Sequence, residues 1–88
     1  MDIALTPMVE RIARVLAGEH LSANAQGHQE SASGAVDAAW QDYRAQAVAV
    51  LHTLRAPSEA MAAAGDVAIW ERMVLAAIKE ARPAGIVM

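Results

Sequence analysis

An all-α fold, with three main helices and a shorter fourth, follows from three features of the sequence. Alanine dominates the apolar content, large apolar residues recur at helical spacing, and capping residues and prolines stand where helices start and stop. The chain has 88 residues, 56% of them hydrophobic, with two Trp, one Tyr and no Phe. Alanine is the strongest helix former because it loses no side-chain entropy on ordering. Aromatic and β-branched residues are too sparse and scattered for a sheet. The length sets one domain over residues 1–88, and the apolar content suffices for a core.

Thr6-Pro7 opens the first helix, because a threonine can cap and proline suits a position whose N–H would be unpaired anyway. Met8, Ile12, Val15 and Leu16 then fall on one stripe. Glu10 and Arg14 form an i,i+4 pair in the favourable order. Gly18 is the expected stop. The stretch from Gly18 to Gly34, GEHLSANAQGHQESASG, holds one large apolar residue, Leu21. It reads as a long flexible polar loop between the first two helices.

The second helix is expected from Ala35 to Arg55. Val36, Trp40, Tyr43, Ala47, Val50 and Leu54 recur at alternating spacings of four and three, a heptad-like stripe widened by Val48 and Leu51. Pro57 ends it by forcing Ala56 away from helical geometry. Ser58 caps a short helix through Ala64, with Glu59 near its positive end. Gly65 stops that helix and Asp66 caps the last one, Val67 to Ala81. Ile69, Trp70, Met73, Val74, Ala77, Ile78 and Ala81 form its apolar face. Pro83 and Gly85 end it, leaving residues 83–88 as a short tail. Trp40 and Trp70 are expected to be mostly buried, near each other or near methionines. Val36, Trp40, Tyr43, Val50, Leu54, Trp70, Met73 and Ile78 are the candidate residues for a core or contact face.

The chemistry readable from the residues is thin. The absence of cysteine excludes disulfides, thiolate metal sites and a cysteine nucleophile. His20 and His28 lie eight residues apart, and a metal would need three or four converging ligands, so they read as solvated. His52 reads as a boundary residue. His28-Gln29-Glu30 has the H-x-E spacing of zinc deaminases, but the accompanying P-C-x-x-C is missing. No nucleophile elbow, Walker-type loop or dinucleotide fingerprint occurs. A non-enzymatic protein without cofactor or metal is the expectation.

Ten acids face six Arg and one Lys, for a net charge of −3. Nucleic-acid binders rely on basic surface to displace counterions from phosphate. The alternative of a small nucleic-acid-binding regulator would use the helix-turn-helix-like pair from Pro57 to Arg82, reading DNA through Arg72, Lys79 and Arg82. No secretory signal and no run long enough for a bilayer span is seen, so a cytoplasmic location is expected.

Four segments carry a resemblance: Ala13 to Leu16, Trp40 with Tyr43, Ala49 to Arg55 followed by Pro57 to Met61, and Trp70 to Ile78. Together they resemble a group of short uncharacterised proteins encoded in bacterial, especially alphaproteobacterial, genomes and in their phages. The resemblance implies an all-helical fold and a mobile-element origin, with no activity or site residue. The reading that follows is a small interaction protein. Its partner is a second copy or another protein, on the pattern of a phage-derived modulator, because two long apolar stripes exceed what one 88-residue bundle covers.

Overall fold

The computed structural model describes residues 3–25 and 32–81, and among them every regular element is helical. The order is α1 (Met8–Ala25), α2 (Ala32–Ala39), a 3-10 turn (Trp40–Tyr43), α3 (Arg44–Leu54), α4 (Glu59–Ala64) and α5 (Val67–Glu80). The all-α class is therefore as the sequence predicts. Residues 26–31 of the expected loop and the expected tail, 83–88, lie outside the described residues.

Helix α1 does not stop at Gly18. It runs on to Ala25, so the expected polar loop is helical in its first half, and α2 takes back Ala32 to Gly34 at the other end. A glycine inside a helix costs about 1 kcal/mol relative to alanine but does not end one unless the chain turns left-handed there. Gly18 instead lies where α2 crosses α1: a Cβ built on it would sit 3.8 Å from Cγ2 of Val36. Leu21, half-buried, continues the packed side of the helix one turn beyond Ala17.

The packed face of α1 is Val9, Ala13 and Ala17, at spacings of four, with Ile12 and Leu16 half-buried beside it. This corrects the expected stripe, because Met8 and Val15 are exposed. Alanines on the inner face let helices approach more closely than leucine or methionine would, and the closer packing sets the rotation.

The expected single helix from 35 to 55 is broken at Trp40–Tyr43. Three residues per turn in a 3-10 segment eclipse i and i+3. Trp40 and Tyr43 therefore share one side and are half-buried, while Gln41 and Asp42 face solvent. In α3 the buried residues are Ala47 and Leu51. Val50 and Leu54 of the expected stripe lie outside the core. The core cluster comprises Val9, Ala13, Ala47, Leu51 and Ala81, with Trp40, Tyr43 and Ile78 among those packed against it.

The later boundaries match the capping residues. The Ser58 hydroxyl accepts from Met61 N–H at 3.3 Å, and the Asp66 carboxylate accepts from Ile69 N–H at 3.0 Å. Each satisfies an amide that the first helical turn leaves without a partner. Helix α5 docks on α3 and α1 through Ala77 and Ile78, with Ala81 just past its end. Arg44, at the start of α3, donates to the Ala81 carbonyl and so closes the far end of α5.

Candidate protein-contact face

The residues buried among those described are Val9, Ala13, Ala17, Ala47, Leu51, Val74 and Ala81. Four of them are alanines, and Leu51 is the one large side chain that is fully enclosed. Larger apolar side chains lie on the outside: Ile3, Leu5, Met8, Met61, Val67, Ile69 and Met73 among them. Single exposed apolar residues are ordinary, but a contiguous set is informative.

All of these except Leu5 are contiguous through α5. Pro57, Met61, Val67, Ile69, Trp70 and Met73 line a groove of about 340 Å³ between α4 and α5. Every residue from Ser58 to Ile69 is exposed, so α4 stands off the rest of the bundle and forms one wall of that groove. Met73, 63% exposed, also lines a second, shallower depression with Ile3, Met8 and Ala76. The rim there carries Arg11, Lys79 and Glu80, charges of both signs.

The sequence-predicted face is thus divided. Val36, Trp40, Tyr43 and Ile78 are half-buried on the core side. Val50, Leu54 and Met73 face outward. Trp70 lies between: it lines the α4–α5 groove near Met61 and Met73, and its indole N–H donates to the Leu54 carbonyl at 2.6 Å. Both tryptophans keep most of their surface covered, as the sequence predicts, without being fully enclosed. Trp40 packs under arginine, with the Arg14 guanidinium 5.4 Å and that of Arg44 5.9 Å from its ring centroid. Sequence reasoning passed over Ile3, Leu5 and Val67. A signal was present in α5, where Val67, Ile69, Trp70, Met73, Val74, Leu75 and Ile78 spread apolar character around most of the helix. That is more than one buried stripe uses.

The polar contacts are structural in kind. Arg14 pairs with Glu10 at 2.8 Å on its own helix and with Asp37 of α2 at 2.6 Å. Those hydrogen bonds, that to Asp37 first and that to Glu10 second, raise the Arg14 pKa above its ordinary value. Arg55 pairs with Glu71 at 3.2 Å, joining the end of α3 to α5. His20 belongs to α1, not to a loop, and its ring stands 6.0 Å from that of Tyr43. His28 lies outside the described residues. Among the described residues no group of three or more His, Asp or Glu is placed to hold a metal ion, and no helix is long and apolar enough to cross a membrane. Arg72 and Lys79 are exposed on α5, and Arg82 lies outside the described residues. The chain matches no protein-family model, and no curated protein or solved structure is significantly similar to it.

Proposed function

We propose that this chain is a small helical protein-interaction module whose contact surface is the outer face of α4 and α5. One observation carries the reading. The described core is built mainly from alanine, while Ile3, Leu5, Met61, Val67, Ile69 and Met73 stand in solvent. Burial of apolar surface is the main favourable term in association. A patch of this kind, rimmed by charges, is the usual mark of a protein contact site.

A photo-crosslinking side chain at position 73, introduced in the full chain and activated in living cells, tests the reading. Met73 is exposed, so the fold tolerates the change. Covalent adducts with protein are expected from position 73 and not from position 46, where Gln46 is exposed on α3. Absence of any protein adduct from position 73 would overturn the proposal.

A further inference from the structure

We infer that the occupant of this face is a second copy of the same chain, with Ile3 and Leu5 of each protomer seated in the α4–α5 groove of the other. The inference rests on the reading of that face as a contact surface and names its partner.

Residues 3–7, which precede α1, are not helical, and their two large apolar side chains, Ile3 and Leu5, are 87% and 97% exposed. Among the described residues, little in their own protomer covers them. The groove is recessed by about 340 Å³. Removing a leucine side chain from a packed core opens on the order of 150 Å³, so the groove takes about two such side chains. The segment offers two.

A two-fold pair requires one surface to carry both the projection and the recess, because each contact is made twice. Here Ile3 and the groove lie on the same face, with Leu5 two residues along the same exposed segment. Met73 borders the groove on one side and the depression beside Ile3 and Ala4 on the other. The area also suffices. From their fractional exposures, Ile3, Leu5, Met8, Met61, Ile69 and Met73, with Val67, present on the order of 700 Å². A standard specific interface buries about 800 Å² per partner. The rim adds the last argument. Arg11, Lys79 and Glu80 beside the depression and Asp66 at the groove give it charges of both signs, so a second copy meets no strong field of its own sign. A polyanion would meet too little positive charge.

Analytical ultracentrifugation of the purified full chain tests this. The expected result is the mass of two chains at about 100 μM and dissociation on dilution. Leu5→Asp and Ile69→Asp should each weaken the dimer by about tenfold or more, because each would bury a carboxylate without a partner. Both side chains lie outside the core, so far-UV circular dichroism should match the parent. The chain has no cysteine, which permits a second measurement. Tagged chains carrying Leu5→Cys, mixed with untagged chains carrying Ile69→Cys, should form a mixed disulfide under mild oxidation. A monomer at the highest concentration, a dimer untouched by both aspartates, or failure of the mixed disulfide would each overturn the inference. A monomer in solution whose position 73 crosslinks a different protein in cells would sink the second copy and leave the contact surface standing. A monomer with no adduct would remove both.

Discussion

The guanidinium of Arg14 lies over the indole of Trp40 while it donates to Asp37, so one α1 side chain holds both α2 and the turn that follows it. The planar guanidinium suits this double role, since it can stack and form directed hydrogen bonds at once. Trp40 in turn covers the alanine-lined core that α1 and α3 share.

Truncation of Trp40 should therefore loosen the contact of α1 with the turn. Full burial of a tryptophan makes its replacement by alanine cost about 3–5 kcal/mol. Trp40 is half-buried, so Trp40→Ala should cost less, about 2–3 kcal/mol. Arg14→Met should lower the midpoint of thermal unfolding in the parent and lower it less once Trp40 is alanine. Thermal unfolding of the four proteins at one fixed concentration measures this coupling. Strict additivity would show that the stacked pair contributes nothing.

Leu51 is the keystone of a core otherwise made of small residues, at 2% exposure with Val9, Ala13, Ala47 and Ala81 in its cluster. Leu51→Ala should cost about 2–5 kcal/mol from lost transfer energy and the cavity left behind. A chain of this size folds with little margin, so much of its helicity should disappear. Val50→Ala on the same helix, at a side chain 39% exposed, should cost well under half as much. Urea titrations followed at 222 nm compare the two. Equal losses would contradict the observed rotation of α3.

Gly18 supplies a prediction of opposite sign. It lies inside α1, and among the described residues an added methyl would meet Val36, at ordinary van der Waals distance. Gly18→Ala should stabilise the protein by about 0.5–1 kcal/mol, by restricting the unfolded chain and adding helix propensity. One position earlier, Ala17 is fully buried, and Ala17→Leu should destabilise by about 1–3 kcal/mol through overpacking. Chemical denaturation of both variants checks the pair. A destabilising Gly18→Ala would mean that α1 breaks where the sequence suggested.

These elements show which parts of the molecule are legible in the residues. The caps at Ser58 and Asp66 are, because a side chain accepting from an amide three residues on is a local event. The passage of α1 through Gly18 is not, because a glycine ends a helix only when its neighbours favour a left-handed turn, and here α2 lies across it. The rotation of α1 and α3 by about one residue is also a tertiary choice. Alanines pack the inner faces, and an apolar scale ranks them below the methionine and valines left outside. Spacings of three and four suit an α-helix as well as a 3-10 turn, so the break at Trp40–Tyr43 leaves no mark in the pattern. The outer face of α5 was hidden for the opposite reason. Its apolar residues exceed one stripe, and the sequence does not say which of them the bundle leaves over.

The hydrogen bond from the Trp70 indole to the Leu54 carbonyl separates the structural role of this ring from its place in the groove. Leu54 is the last residue of α3, where carbonyls have no helical partner. The 2.6 Å bond satisfies one of them and ties α5 to the end of α3, beside the Arg55–Glu71 pair. Trp70→Phe keeps an aromatic wall on the groove but removes the donor. A neutral hydrogen bond contributes about 0.5–1.5 kcal/mol net, and the solvent-accessible surroundings of Leu54 leave water free to replace the indole. The expected loss is therefore about 1 kcal/mol in urea unfolding. Amide exchange should quicken in the last turn of α3 and not in the Ala13–Ala17 region of α1. Self-association should change little, since the apolar lining of the groove persists. Unchanged stability with a large loss of association would reverse this assignment and make the indole N–H a contact group rather than a helix cap.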